Sequence, residues 1–186
     1  MQAFDELVTI MQRMTEASRL EQTLATSERE AFDLSRVVEG CVEGYRLANP
    51  AGRIGYLNET RGEPMIVLGA PDLVAQLLDK LVENALDFAR PETAVEVRLT
   101  RGLGVFLLAV ANEGPPIPDE VAGKLFDSMI SARPEGPGGK VHLGLGLTIV
   151  RAIADFHEAP VSVANRRDVP GVTFSVAFPP HRTEPA

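Results

Sequence analysis

Residues 1–29 carry apolar side chains at helical spacing and contain neither glycine nor proline. The members of this apolar stripe are Phe4, Leu7, Met11, Met14, Ala17, Leu20 and Leu24. Several of them repeat at heptad intervals, and a stripe this apolar is unsuited to a helix that is surrounded by water. We therefore predict a helix over residues 1–29 that pairs with a second helix. Packing against the rest of its own chain is the alternative.

Periodic apolar positions predict three more helices, at residues 34–48, 71–88 and 143–156. Asp33 is suited to cap the first of these, because its carboxylate accepts hydrogen bonds from the unpaired N–H groups of a helix start. Pro71 opens the second, where its missing N–H removes no helical hydrogen bond. These helices alternate with short strands along the chain.

Short apolar or alternating runs predict the strands. The first two, at residues 53–57 and 65–68, flank a turn around Gly62. Two hairpins are predicted, from residues 95–100 with 105–111 and from residues 161–165 with 172–178. This order predicts an α+β fold, a two-layer α/β sandwich whose mixed, mostly antiparallel sheet has helices on one face.

The stretch of residues 112–142 is rich in proline and glycine and interrupts this regular pattern. We predict one short helix inside it, at residues 119–129. Irregular segments of this length inside a compact domain are usually functional or mobile. The stretch is therefore a candidate for part of a binding site.

The composition of the chain excludes several kinds of partner and site but predicts no further element. The formal net charge of -8 argues against a nucleic-acid partner. The single cysteine, Cys41, excludes an internal disulfide and a zinc site made of cysteines. No apolar run reaches the roughly 18 residues of a membrane span, and no signal peptide opens the chain. We expect a cytoplasmic protein or the cytoplasmic portion of a membrane-bound one.

Four segments follow one another in an order that identifies a known family. They are LLDKLVENALDF at residues 77–88, VANEGPPIP at 110–118, LFDSM at 125–129 and GLGLTIV at 144–150. In this order they resemble the N box, first glycine box, F box and second glycine box of the catalytic ATP-binding domain of bacterial sensor histidine kinases. That domain has the Bergerat fold, shared with gyrase, Hsp90 and the mismatch-repair ATPases.

The resemblance implies three parts. Residues 1–30 resemble the second helix of the kinase dimerisation hairpin, residues 31–182 the ATP-binding catalytic domain, and residues 183–186 form a tail. The segment at residues 15–21, with the sequence TEASRLE, carries the likeness to the hairpin. A homodimer through the first helix is therefore expected.

In the N box, the resemblance implies that Asn84 holds Mg²⁺, for which its amide oxygen is a suitable neutral ligand. Lys80 lies one turn earlier on the same face, where gyrase-like ATPases have the glutamate that activates water. Lys80 either contacts a phosphate or is a solvated residue, and Glu83 is expected to be exposed, so rapid hydrolysis by water is not expected. Phe88 either lies beside the adenine or packs in the core.

In the first glycine box, Asn112 stands where the family has an aspartate that accepts a hydrogen bond from the adenine amino group. A neutral acceptor contributes about 1 kcal/mol, against roughly 1.5–3 kcal/mol for a charged one, so we expect binding weaker by up to about tenfold. Gly114 and Ile117 are also assigned to the ATP site. Pro116 replaces the family's second glycine, and a purely rigid turn is the alternative reading of this segment.

In the second glycine box, Gly144 and Gly146 open the last long helix. Glycines at a helix start allow backbone N–H groups to approach phosphate oxygens, and the helix dipole favours an anion there. The neighbouring residues assigned to the ATP site are His142, Leu143, Leu145 and Leu147. Arg133 and Lys140 lie in a stretch that resembles the lid that closes over ATP.

The resemblance implies a protein-histidine kinase catalytic domain that uses ATP and Mg²⁺. Its partners would be the phosphoacceptor histidine of a preceding helix and a response regulator. The chain's three histidines are His142, His157 and His181, and none stands at the acceptor position. We therefore expect a piece of a kinase that transfers no phosphate by itself.

Two other functions remain open. A degenerate nucleotide-sensing or protein-interaction module is the main alternative, because four residues depart from the family pattern. They are Lys80, Asn112, Pro116 and Met129. A water-hydrolysing ATPase is disfavoured by Lys80.

Overall fold

The structure, a computed structural model, describes residue 15 and residues 18–49, 53–60, 62–122, 124–126 and 145–181. Its helices are α1 (residues 18–26), α2 (Leu34–Ala48), α3 (Pro71–Phe88), α4 (Asp119–Ala122) and α5 (Leu145–Phe156). Its strands are β1 (Glu30–Asp33), β2 (Ile54–Asn58), β3 (Ile66–Gly69), β4 (Val95–Arg101), β5 (Phe106–Glu113), β6 (Val161–Asn165) and β7 (Gly171–Phe178).

The main sheet has five strands in the order β2-β4-β5-β7-β6. β4, β5, β7 and β6 pair antiparallel with their neighbours, and β2 runs parallel to β4 at the edge. Val95, Val97 and Leu99 of β4 are fully buried, whereas Glu96 and Arg98 on the opposite face are partly exposed. Helices α3 and α5 pack together on the buried side. The predicted α+β sandwich with a mixed sheet is confirmed.

The two predicted strands that flank the turn at Gly62 are β2 and β3, and they do not pair with each other. β3 pairs antiparallel with β1, a strand that the sequence analysis missed, in a separate two-stranded sheet. The connection at residues 59–65 is longer than the loops of about two to five residues that join hairpins. Helix α3 instead provides the crossover that brings β4 alongside β2 in parallel.

The short helix predicted at residues 119–129 is also too long. Helix α4 ends at Ala122, and residues 124–126 form a turn. Phe126 of this turn is buried, with its ring 6.0 Å from that of Phe174 and nearly perpendicular to it. The turn is therefore shaped by an aromatic anchor in the core rather than by helical periodicity.

Helix α1 packs against the core formed by the rest of the described chain. Leu20 is only 7% exposed and belongs to the main core, and Leu24 packs half-buried against it. This contact favours the alternative of packing on its own chain for the described part of the helix. Residues 1–14, with the first apolar positions of the stripe, lie outside the described residues.

Asp33 ties three elements together where β1 meets α2. Its carboxylate accepts hydrogen bonds from the backbone N–H of Ser35 (3.1 Å), the Ser35 hydroxyl (2.8 Å) and the Met65 N–H (3.0 Å). Burial works to raise the pKa of Asp33, but these hydrogen bonds and the nearby Arg36 outweigh it and lower the pKa. The charged form is therefore the one that the fold stabilises.

Replacing Asp33 by alanine removes the cap of α2, and we expect the free energy of unfolding to fall by about 1–3 kcal/mol. Because the pKa of Asp33 is lower in the folded protein, the unfolded chain binds more protons in acid. The contribution of the carboxylate is thus present above about pH 4 and is lost as pH falls through the folded pKa. Urea unfolding at about pH 7 and pH 3 measures both effects.

Asp33→Asn is the matched control, since asparagine still caps a helix but carries no charge. It should lose less stability than Asp33→Ala at neutral pH. Its difference from the wild type should shrink as pH falls through the lowered pKa of the folded carboxyl, because protonation removes the charge. Equal stability of all three proteins at neutral pH would contradict the structural role of this carboxylate.

Candidate functional site

Unpaired buried polar atoms point to a functional site, since such atoms normally have hydrogen-bond partners. Within the described residues, four side-chain atoms are buried without a partner: Tyr56 OH, Thr60 Oγ1, Asn84 Nδ2 and Asn112 Oδ1. The first two lie on or just after β2, an edge strand. The last two belong to residues that the sequence analysis assigned to ATP binding.

Asn112 is the most unusual of these residues because it faces the core. Phe106, Leu108 and Val110 of β5 form the buried row on the helix side of the sheet, and Asn112 continues that row with 0% exposure. Its Nδ2 donates to the Glu113 carbonyl at 3.1 Å. Leaving its oxygen buried and unpaired costs about 1–3 kcal/mol. A purely structural position would favour an apolar side chain of the same size.

The end of β5 lies directly against the last turn of α3. The Arg90 N–H, just after α3, donates to the Glu113 carbonyl at 2.7 Å. Gly114 is so close that a Cβ at this position would lie 2.3 Å from the Phe88 carbonyl oxygen. Only glycine permits this approach. The structure therefore brings Asn84 and Phe88, which share the C-terminal turns of α3, next to the end of β5.

The backbone of Ile117 is fixed by a residue that the sequence analysis missed. The Ile117 N–H donates to Asn165 Oδ1 at 2.8 Å, and Asn165 Nδ2 donates back to the Ile117 carbonyl at 2.8 Å. Ile117 itself is buried. An asparagine at the end of a strand, where its amide can bond a neighbouring backbone, was the available signal. The clamp makes the Gly114–Pro118 segment a rigid wall.

Lys80 is held partly out of solvent near Asn84. Its side chain is 23% exposed, and its Nζ lies 3.4 Å from the carboxylate of Glu83, which is 65% exposed. The expected exposure of Glu83 is therefore observed. This partial exposure leaves both predicted roles of Lys80, a phosphate contact and a solvated residue, compatible with the structure. Phe88 is half-buried, which leaves both of its predicted roles compatible with the structure.

The start of α5 has room around its backbone. A Cβ at Gly146 would meet nothing within 4 Å, so packing does not require glycine there. Leu147 is 8% exposed and belongs to the core. The other residues assigned to this region lie outside the described residues: Arg133, Lys140, His142, Leu143 and Gly144. Leu145 is described as the first residue of α5, but its side chain is not.

Asn84 is the residue to which the predicted Mg²⁺ site is assigned. Among the described residues there is no cluster of three or more histidine, cysteine, aspartate or glutamate side chains that could hold a metal ion. An amide such as Asn84 fits Mg²⁺ when phosphates and water complete the coordination.

No helix within the part of the chain that the structure describes is both long and apolar enough to cross a membrane.

Comparison with known proteins tests the family resemblance. The family model described as "Histidine kinase-, DNA gyrase B-, and HSP90-like ATPase" matches residues 69–182, more than half of the chain. This chain belongs to that ATPase family. The match contains both asparagines with unpaired buried atoms and the glycine segments on either side of the predicted lid.

Relatives within this ATPase family are sensor kinases. The sensor protein ChvG of Agrobacterium fabrum is 28% identical over 181 residues, which cover 91% of this chain and 30% of ChvG. The sensor histidine kinase CssS of Bacillus subtilis is 32% identical over 117 residues, which cover 63% of this chain and 24% of CssS. The chain thus spans less than a third of these curated relatives.

A solved structure of the same family has the same fold. The catalytic domain of the histidine kinase ThkA is 26% identical and superimposes with a TM-score of 0.68, over 83% of this chain and 97% of ThkA's domain. The predicted resemblance to a histidine kinase catalytic domain is confirmed. The individual roles of the assigned residues are not tested by these comparisons.

The close approach at Gly114 predicts a specific loss of stability. In Gly114→Ala the new Cβ clashes with the Phe88 carbonyl, so β5 or the end of α3 must shift. We expect the free energy of unfolding to fall by about 1–3 kcal/mol, measured by urea or thermal unfolding.

Gly44→Ala is the matched control for this prediction. A Cβ at Gly44 in α2 meets nothing within 4 Å, and alanine favours a helix, so stability should rise by about 0.5–1 kcal/mol. If Gly114→Ala were as stable as Gly44→Ala, the close contact between β5 and α3 would be refuted.

Proposed function

We propose that this chain binds ATP between the C-terminal turns of α3 and the end of β5, as the catalytic domain of a sensor histidine kinase. The observation that carries the proposal is the buried, unpaired Oδ1 of Asn112. It occupies the position at which the family resemblance expects an acceptor for the adenine amino group. A bond from that amino group satisfies an oxygen that otherwise destabilises the fold.

The proposed adenine pocket has walls that are already fixed. Ile117, held by the amide of Asn165, supplies a buried apolar surface near the end of β5. Phe88 is half-buried on the opposite element and is assigned to the adenine ring. Gly114 holds these two elements at close approach. Rigid walls of this kind reduce the entropy that a ligand must overcome on binding.

The phosphates and their metal ion are assigned to the same end of α3. Asn84 would hold Mg²⁺ through its amide oxygen, with phosphate and water oxygens as the other ligands. An ion held there would neutralise phosphate charge and help to orient the γ-phosphate for transfer. Lys80, one turn away and only partly exposed, would add a second positive charge near the phosphates.

The remaining phosphate contacts are assigned to the second glycine box. Backbone N–H groups at the start of α5 are oriented toward an anion, and Gly144 and Gly146 allow it to approach. His142, Leu143, Leu145 and Leu147 complete this part of the proposed site. Arg133 and Lys140 are assigned to the lid.

In the whole kinase, the γ-phosphoryl group would pass from ATP to a ring nitrogen of a histidine outside this chain and then to a response-regulator aspartate. His157 is unsuited as the acceptor, because it is 2% exposed and both ring nitrogens are engaged, with the Ala70 N–H and the Ile153 carbonyl. The catalytic domain contributes positioning and charge neutralisation. This chain alone should therefore bind ATP without transferring phosphate.

The assembly and location of the whole protein are part of the same proposal. The relatives are named as sensor proteins, which supports the cytoplasmic portion of a membrane-bound sensor as the setting. A homodimer through the first helix is supported by the apolar stripe of residues 1–29. Leu20, which belongs to this stripe, is buried against its own chain, so the turn that contains it contacts the domain core.

A nucleotide-sensing or interaction module is the second candidate. The observation that favours it is the neutral Asn112 at the adenine position, together with the exposed Pro116 in place of glycine. A nucleotide-sensing module also binds nucleotide, so it differs from the kinase in turnover when a helix with the acceptor histidine is supplied in trans, whereas an interaction module need not bind nucleotide at all. Only the kinase transfers phosphate to that helix.

The experiment that tests the proposal is calorimetric titration with a non-hydrolysable ATP analogue, with and without Mg²⁺. The wild-type chain should bind in a Mg²⁺-dependent manner. Asn84→Ala should weaken binding in Mg²⁺ by at least about tenfold, because it removes the only protein ligand assigned to the ion. Without Mg²⁺, the two proteins should bind alike.

Gln76→Ala is the matched control, since it removes an amide about two turns earlier on α3 and should bind like the wild type. Absence of binding to the wild type at millimolar nucleotide would refute the proposal and favour a module without nucleotide. Equal loss in both variants would instead indicate a general effect of altering α3.

A further inference from the structure

Arg29, in the connection between α1 and β1, contacts the C-terminal end of α5. Its Nη1 forms an ion pair with Glu158 at 2.8 Å, and its Nη2 donates to the Phe156 carbonyl. Its guanidinium also lies 4.9 Å from the centroid of the Phe156 ring. Three contacts from one side chain hold the α1 connection to the last residues of α5.

The helix end of α5 places the carboxylate that Arg29 contacts at an unusual position. The Ala159 N–H donates to the Ala154 carbonyl at 2.9 Å and the Glu158 N–H to the Asp155 carbonyl at 3.0 Å, which is a Schellman motif. Glu158 takes the left-handed position, with φ of 55°, where glycine is usual. Glycine would suit this helix end better, so the carboxylate of Glu158 has a use other than ending the helix.

The same turn also holds the start of α3. The Ala70 N–H donates to His157 Nε2 at 3.0 Å, and Ala70 is the residue that precedes α3. The imidazole fits so tightly that a Cβ at Gly69 would lie 2.0 Å from its Cδ2. The turn after α5 therefore joins three elements: the α1 connection through Arg29, α5 itself, and the helix that carries Asn84.

Helix α5 can carry a displacement from one end to the other. It has 12 residues, about 18 Å of helix, and its apolar side packs on α3. Ile153 and Ala154, near its C-terminus, are fully buried. Packed helices move as units over small distances rather than bending locally. An anion bound at the start of α5 would therefore restrain the turn at the other end of the helix, which Arg29 contacts.

We propose that Arg29 is a positioning residue that couples nucleotide binding at the start of α5 to the packing of α1 on the domain. The inference rests on the proposed function, because it needs the phosphates at the N-terminus of α5. Phosphates at the start of α5 would restrain this helix, the turn at residues 156–159 holds Arg29, and α1 is held against the core through Leu20.

Amide hydrogen exchange of α1, with and without the Mg²⁺ complex of the non-hydrolysable ATP analogue, tests this coupling in the full chain. In the wild type, nucleotide should slow exchange at residues 18–26 by about fivefold or more, the lower end of typical allosteric couplings. In Arg29→Ala the nucleotide effect should fall below about twofold. Because coupling is reciprocal, nucleotide affinity should weaken by the same factor.

Three further variants separate coupling from simple destabilisation. Glu158→Gly supplies the residue that the helix end prefers, so it should keep or raise stability and still lose much of the nucleotide effect. Arg29→Lys retains the ion pair and should retain part of the effect. Arg36→Ala removes an exposed arginine that pairs with Asp33 at 3.9 Å and should behave like the wild type.

Each outcome is decisive for one of the two proposals. If the wild type binds nucleotide but nucleotide does not slow exchange in α1, the positioning role of Arg29 is overturned and the nucleotide site stands. The same conclusion follows if nucleotide slows exchange in Arg29→Ala and Glu158→Gly as much as in the wild type. If the wild type binds no nucleotide, the proposed function is overturned and this inference with it. Loss of the response in both variants, with Arg36→Ala unaffected, supports the coupling.

Discussion

The carboxamide oxygen of Asn112 is the constraint around which the account of this protein is arranged. It lies at 0% exposure on the core face of the central strand, at the end of a row of apolar side chains, without a partner among the described residues. A buried acceptor of this kind reduces stability unless a donor reaches it. In the proposed function the adenine amino group is this donor, and the ligand would then satisfy a polar atom that the fold leaves unpaired among the described residues.

The backbone near that oxygen is fixed by two contacts. Gly114 allows the end of β5 to press against the Phe88 carbonyl, and the Asn165 amide fixes Ile117 on the next segment. In the proposed function these contacts would position the adenine, and the phosphates and their metal ion would be held by Asn84, Lys80 and the start of α5.

Local sequence patterns predicted helix α3 and strand β6 well, because these elements have strong periodicity or clear turns at their ends. They missed β1 and its pairing with β3, which is decided by tertiary contacts such as the Asp33 carboxylate on the Met65 N–H. Asn84 and Asn112 were found from motif order. Asn165 was missed because its role depends on Ile117, which is remote in sequence and contacts it only in the folded chain.

The central claim is that Asn112 accepts a hydrogen bond from the adenine amino group. The most direct measurement compares an ATP analogue with its purine counterpart that lacks the 6-amino group, by titration against the wild type and Asn112→Leu, a change of similar volume. The account predicts that removing the amino group weakens wild-type binding by about two- to tenfold and leaves binding to Asn112→Leu unchanged. Equal losses in the two proteins would contradict it.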